Sequence, residues 1–280
     1  MNLVGFWPKG YKCCVNLSFD YDSDSATIWR TPLDIVNQSR GRFAPNVAIP
    51  RILEMLDRHD LKATFFVPGW TADKYPDSVK SIIEHGHEIG AHGYTHERLG
   101  ELSWELEESV FERSLATLKK LGVKPEGFRA PYWLISDRTI ERIKQFGFTY
   151  DSDFMDNDMP YMLEWRGKPT GLVELPVEWM LDDWPQYDTY RRGPEDAYKV
   201  WKPEFEGIYR LGRYFGLTCH PQATGRVSRL DMLEKLLTDM EQKGDVWFAT
   251  GKEVADWTRK KLGSFLSPQQ ERAGPPPRKP

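Results

Sequence analysis

Two aspartates, Asp20 and Asp22, stand two residues apart where an apolar run beginning at Lys12 ends. On an extended backbone, side chains two apart share a face, so both carboxylates can converge on one point. Ser23, Asp24 and Ser25 follow directly, and the same segment suits a solvated turn or a helix cap. Further on, His92 and His96 lie four apart in HGYTH. On a helical turn that spacing stacks two imidazoles within reach of one ion. Imidazoles plus one carboxylate, with a position left for water, form the open site used by catalytic zinc. Such His pairs also occur simply as surface residues; the paired aspartates upstream favour the metal reading.

Arg129, in RAPYW, is a permanent cation whose donor fork suits a carboxylate such as Asp20, holding it charged and basic. The turn from Pro131 to Trp133 offers backbone N–H groups and aromatic faces, fit for an oxyanion donor and a substrate wall. A structural ion pair and simple packing of Trp133 account for the segment equally well. His220 directly follows the apolar run Phe215 to Cys219, where an imidazole could deliver a proton to a departing amine or sit as a satisfied structural histidine. His85 and His87 read as structural, at a helix end and a strand start, and His59 ends a helix with no assigned role.

These groups need strand ends to carry them. Apolar runs alternate with helical periods, the pattern of βα units around a parallel sheet, whose reactive groups lie in loops after the strands. Strands are expected at Lys12 to Asp20, Ala63 to Val67, Glu88 to Gly90, Gly127 to Phe128, Thr149 to Asp151, Leu172 to Pro176, Phe215 to Cys219 and Val246 to Phe248. Helices are expected at Val47 to His59, Pro76 to His85, Ser103 to Leu121, Ser136 to Phe146, Pro194 to Tyr214 and Ser228 to Lys243. Ser103, Ser136 and Ser228 mark starts, and Gly147 and Gly244 close two helices.

With 280 residues the chain suits one catalytic domain over 1–266, followed by a proline-rich arm over 267–280. A net charge of −4 gives no basic stripe for a phosphate backbone, so nucleic acid is set aside as a partner. No apolar run reaches membrane-spanning length and the first residues lack a charged region before an apolar one, which predicts a cytoplasmic protein with no membrane partner. Cys13, Cys14 and Cys219 have no framework spacing, as expected of free thiols in a reducing compartment. Among the eleven tryptophans, Trp29, Trp133, Trp179 and Trp184 are candidate pocket walls, with core burial the default for each.

Together the segments SFDYD (Ser18 to Asp22), HGYTH (His92 to His96), RAPYW (Arg129 to Trp133), YDSD (Tyr150 to Asp153) and LTCHP (Leu217 to Pro221) resemble, in order, the motifs of the polysaccharide deacetylase superfamily. These are carbohydrate esterases that remove N-acetyl groups and share a homology domain with the rhizobial nodulation deacetylase. The resemblance implies an irregular (β/α) barrel of about seven strands. It also implies Asp20 as general base, Asp22, His92 and His96 as ligands of a divalent metal ion, and His220 as general acid. Arg129 would orient the base, the Tyr132 N–H would bind the oxyanion, and Asp151 would match the fourth motif's carboxylate and support His220.

Two features depart from the usual pattern: Tyr21 separates the aspartates, and the fourth motif lacks its Trp. Together with SRGRF (Ser39 to Phe43) and ELPVEWMLDDWP (Glu174 to Pro185), they are similar to a branch of cyclic imide hydrolases, allantoinase-like enzymes and a Helicobacter-type peptidoglycan deacetylase. Members of that branch form tetramers, and some allantoinase-like ones lack the metal; Asp22, His92 and His96 argue that this chain keeps it. The expected reaction is hydrolysis of a carbon–nitrogen amide bond in a small-molecule or oligosaccharide substrate. The metal is expected to be zinc first, with cobalt, nickel or iron also suited. The alternatives are a ring-opening cyclic imidase and an inactive glycan- or metal-binding protein.

Overall fold

The computed structural model of the protein describes residues 5–28 and 35–266. Trp29 and the proline-rich arm expected over 267–280 therefore lie outside the described residues. The strands are β1 (Cys13–Asp20), β2 (Thr64–Val67), β3 (Glu88–Ala91), β4 (Gly127–Phe128), β5 (Tyr150–Asp151), β6 (Tyr161–Trp165), β7 (Lys168–Glu174), β8 (Tyr214–Cys219) and β9 (Val246–Phe248). They form one sheet in the order β6, β7, β5, β4, β3, β2, β1, β8, with β9 also on β1. Every ladder is parallel except that between β6 and β7. The result is a mixed α/β half-barrel, the expected class, in which no ladder joins β6 to β8 among the described residues.

The strand count corrects the expectation of about seven: nine are present among the described residues. The strand that sequence reasoning missed, β6, is one arm of a hairpin turning at Arg166 and Gly167, both at positive φ (52° and 70°). Its burial does not alternate cleanly, with Leu163 buried and Glu164 exposed between half-covered neighbours, so period-two patterning is weak there.

β1 is buried along its whole length, although from Val15 it alternates apolar residues with the polar Asn16, Ser18 and Asp20. One edge pairs with β8 from Cys14 to Phe19; the other is shared, β9 taking Cys13 to Val15 and β2 taking Ser18 to Asp20. Phe19 stacks on Phe65, and Phe111 on Phe128, so aromatic rings fill the space between sheet and helices.

Helix ends follow local chemistry. Ser103 accepts from the Leu106 N–H at the start of Trp104–Lys120, and Ser136 and Thr139 cap Asp137–Gln145 reciprocally. The helix expected to run from Pro194 to Tyr214 stops at Leu211, because Gly212 takes the left-handed conformation (φ 69°) and Tyr214 opens β8. The helix expected from Ser228 begins one residue earlier, at Val227. Gly147 and Gly244 do sit at positive φ behind the helices they close.

Helices Ile35–Phe43, Gly69–Lys74 and Gly251–Leu266 were not anticipated. The first matters for the site: Gly41 is buried directly against the backbone that follows Asp22, where an added Cβ would lie 2.4 Å from Asp24 Cα and 2.5 Å from the Ser23 carbonyl oxygen. No flexible side chain is there to yield. Gly41→Ala should destabilise the protein by about 1–3 kcal/mol in urea unfolding. Gly207→Ala, in the helix Pro194–Leu211 with only the tip of Arg210 nearby, should be neutral or slightly stabilising.

Candidate active site

Asp20 closes β1, His92 follows β3, Arg129 follows β4, Ser152 and Asp153 follow β5, and His220 follows β8. All therefore emerge at one rim of the parallel sheet, the C-terminal one. Asp22 Oδ1 lies 3.4 Å from Nε2 of both His92 and His96, while its Oδ2 lies 3.8 Å from His220 Nε2 and 3.5 Å from the amide nitrogen of Gln222. All four of the ionisable groups are buried. Burial alone would raise the Asp22 pKa, but the imidazoles of His96, His220 and His92 outweigh it and hold the carboxyl below its usual range.

The two histidines meet by a route other than the expected helical turn. Residues 92–96 form an irregular loop, with Gly93 at φ 66° and His96 at φ 64°. Glu97 folds that loop: its carboxylate accepts from the N–H groups of Tyr94 (2.9 Å) and Thr95 (2.8 Å) and from the Thr95 hydroxyl (2.6 Å). Sequence reasoning missed this residue, although an acid one position beyond a turn containing glycine and threonine is a recognisable loop clamp. His92 Nδ1 donates to the Arg129 carbonyl oxygen at 2.7 Å, which leaves the Nε2 lone pair facing Asp22.

Arg129 does hold Asp20. Its NH1 group donates to Asp20 Oδ1 at 2.7 Å and to Ser18 Oγ at 2.9 Å, and its NH2 group donates to Ser152 Oγ at 2.9 Å. The guanidinium also lies over the Phe66 ring. Asp20 Oδ2 is turned the other way, 3.9 Å from His92 Nε2. The base candidate thus has one oxygen tied and one directed into the site.

His220 is supported by a carboxylate other than the one expected. Its Nδ1 donates to Asp183 Oδ1 at 2.7 Å, Asp183 Oδ2 accepts from the His220 N–H at 2.9 Å and from the Thr224 hydroxyl, and Asp182 lies 3.5 Å away. Burial would depress the imidazole, but Asp182 and Asp183 outweigh it and raise its pKa well above the ordinary value. Asp183 lies in the Asp-Asp pair before Trp184, a visible signal that carried no role in the sequence reading.

Asp151 sits elsewhere, in a buried carboxyl cluster with Asp153 and Glu174. Asp153 accepts from the Ala130 N–H, and Glu174 accepts from the N–H groups of Asp153 and Phe154. Burial drives all three upward, Asp153 to about 6 and Glu174 to about 8, the latter helped by Asp153. His87 is structural as expected: it is pushed down to about 4 by burial and accepts the Ala63 N–H at Nδ1.

Asp20, Asp22, His92, His96 and His220 open into a cavity of about 590 Å³ whose walls include Tyr132, Trp133, Trp179, Trp184 and Arg40. Trp133 packs against Trp179 (centroids 4.6 Å apart), Trp184 against His220 (5.4 Å) and Tyr132 edge-on to His96 (4.4 Å). The three tryptophans expected as walls and lying within the described residues therefore line one space. Tyr132 takes a left-handed φ of 62° in the Pro131–Trp133 turn and lines the cavity.

The residues fit a cation. Asp22 Oδ1 and His92 Nε2 are buried and have no hydrogen-bond partner among the described residues, and with a nitrogen of His96 they form a cluster of ligand atoms within 4.8 Å of one another. An acid oxygen and an imidazole nitrogen buried without partners are costly unless an ion takes them.

The polysaccharide deacetylase family model matches residues 12–150. The peptidoglycan deacetylase of Helicobacter pylori is 33% identical, across 86% of this chain and 94% of that one. The chain belongs to the polysaccharide deacetylase family. A Mycobacterium smegmatis structure assigned as a polysaccharide deacetylase is 35% identical with a TM-score of 0.86, covering 97% of this chain and 96% of that one. The allantoinase PuuE shares the fold, with a TM-score of 0.82 at 20% identity over 93% of this chain and 97% of its own. The family model's span holds Asp20, Asp22, His92, His96 and Arg129, whereas Asp183 and His220 lie beyond it.

The acid cluster of this family member has a measurable consequence. Glu174 is raised from its ordinary 4.5 to about 8, so the native state holds a proton there that the unfolded chain has lost above pH 4.5. Stability from this group is fully present below 4.5 and declines as pH rises to about 8. Glu174→Gln keeps an acceptor for Asp153 and Phe154 and should flatten that decline, raising Tm at pH 8 relative to wild type in calorimetric scans.

Proposed function

We propose that this protein hydrolyses a carbon–nitrogen amide bond, removing an N-acyl group. One observation carries the reading: a carboxylate fixed by a guanidinium (Asp20 on Arg129) and an imidazole charged by an aspartate (His220 on Asp183) flank the same buried trio of Asp22, His92 and His96. A positioned proton acceptor and a positioned proton donor at one site are what acid–base hydrolysis requires.

Asp22, His92 and His96 would hold a divalent ion, zinc first and cobalt, nickel or iron also suited. When bound, such an ion supplies a water acidified toward neutrality and positive charge beside a tetrahedral oxyanion. Asp20 accepts the water proton at Oδ2, the oxygen that Arg129 leaves unheld. Arg129 keeps that carboxylate aimed. His220 carries its mobile proton on Nε2, because Nδ1 is committed to Asp183, and delivers it to the departing nitrogen. The Tyr132 N–H is the oxyanion donor in this reading, and Trp133, Trp179 and Trp184 bracket the substrate.

The first substrate class is an N-acetylated amino sugar, which the name of the Helicobacter pylori relative supports. The size and aromatic walls of the cavity, about 590 Å³, favour a second reading, ring opening of a cyclic imide or ureide by the same proton positions. The reading includes a cytoplasmic homotetramer; three free, buried thiols suit a reducing compartment, and light scattering would report the mass.

Acetate release from peptidoglycan fragments and chitooligosaccharides, measured beside ring opening of succinimide, hydantoin and allantoin, separates the two substrates. Activity should be lost on chelation and return with the metal identified by elemental analysis. His92→Ala and His96→Ala should abolish metal retention. Asp20→Asn should retain the metal and lose roughly two to four orders of magnitude in kcat. An Asp20→Asn protein turning over at the wild-type rate would remove Asp20 from the mechanism. Asp183→Asn should lower kcat more than it changes KM, since it acts through His220 and not on substrate.

A further inference from the structure

A second cavity, of about 450 Å³, adjoins the catalytic one and has a different character. Its charged walls are Arg40, Arg191, Arg192, Arg226, Arg229 and a single carboxylate, Asp188. Arg40 and Asp188 are also walls of the catalytic cavity, so the two spaces share a partition. The chain as a whole carries a net charge of −4, so five guanidiniums around one acid is a local concentration against the general balance.

Asp188 is already engaged by Arg40, whose guanidinium lies over Trp184 with its carbon 4.8 Å from the ring centroid. Among the described residues, no carboxylate pairs with the other four arginines. Three are held instead by aromatic faces: Arg226 lies over Phe43 at 3.6 Å, Arg229 over Tyr187 at 4.4 Å and Arg192 over Tyr190 at 5.0 Å. Arg229 also donates to the Ala223 carbonyl oxygen at 3.0 Å, and Arg192 to Gln186 Oε1 at 2.7 Å. Stacking fixes the plane of a guanidinium while leaving most of its edge N–H groups for an acceptor, the arrangement that suits bidentate capture of an oxyanion. Burial, Arg229, Arg40 and Arg51 together lower the Arg226 pKa, the mark of cations crowded without compensation.

We propose that this arginine-walled cavity binds a phosphate-class oxyanion, next to and separate from the catalytic centre. The assignment rests on the cavity's own geometry and holds whether or not the chain hydrolyses amides. A bound oxyanion relieves the repulsion among the guanidiniums and, through Arg40, fixes the side chain that backs Trp184 and hence the wall beside His220. Such an anion could arrive free in solution or attached to a sugar that also enters the catalytic cavity.

Isothermal titration of the purified full chain with inorganic phosphate tests the site. Saturable binding with a Kd at or below the millimolar range is expected, weakening as salt rises from about 50 to about 200 mM. Arg191→Gln/Arg226→Gln changes two exposed side chains and should weaken binding roughly tenfold or more without lowering Tm in the absence of phosphate. Arg226→Lys should recover only part of the affinity, since charge is kept and the fork lost. His92→Ala should leave phosphate binding intact, which separates this cavity from an ion-held anion in the catalytic one. In a parallel titration, N-acetylglucosamine 6-phosphate binding roughly tenfold tighter than phosphate points to an anion carried on the substrate. Equal affinity points to a free anion, and both outcomes support the site. Absence of saturable binding up to about 10 mM phosphate, or affinity unchanged in Arg191→Gln/Arg226→Gln, would overturn the proposal.

Discussion

The site is organised by one buried cation. Arg129 ties Ser18 and Asp20 of β1 to Ser152 beyond β5 through its guanidinium, and its own carbonyl oxygen sets the tautomer of His92 beyond β3. A guanidinium this deep must be matched by acceptors on nearly every edge, or desolvation would expel it. Meeting that requirement forces four strand ends into one arrangement, and the catalytic candidates ride on those ends. Removing either Arg129 or Asp20 would leave the other as a lone buried charge, so the pair constrains the fold as much as the chemistry.

Around that pair the buried charges fall into two regimes. On the open side, Asp22 is kept ionised by imidazoles, and His220 is kept charged by Asp182 and Asp183. On the closed side, Asp151, Asp153 and Glu174 crowd one another, and burial raises all three. The contrast has a simple origin: the first acids face cations, whereas the second face mainly each other and backbone N–H groups.

Much of this could be read from the chain itself. Asp20, Asp22, His92, His96, Arg129 and His220 were picked out by residue type at strand ends, and the parallel sheet brings all six together, because a buried strand announces its end by an abrupt change from apolar to polar. The loop path was not legible: the spacing of His92 and His96 matches a helical turn, yet Gly93 and Glu97 build a left-handed loop that delivers the same convergence. Nor was the partner of His220. Asp151 and Asp183 are both acids near strand ends or loops, and only the tertiary packing of 182–184 against β8 distinguishes them. The hairpin strand β6 escaped because its side chains lie at a half-covered sheet margin, where alternation fades.

The register between β1 and β8 has a wider implication. Phe19 is paired with Cys219, so the residues that follow, Asp20 and His220, leave neighbouring rungs side by side. The backbones that carry the proposed proton acceptor and donor are thereby set apart by interstrand hydrogen bonding, a spacing of about 4.8 Å that side-chain substitution does not alter. Surrounding loops are free to be exchanged, lengthened or re-lined without disturbing that ruler. A scaffold of this kind can keep its hydrolytic core constant while its clientele changes.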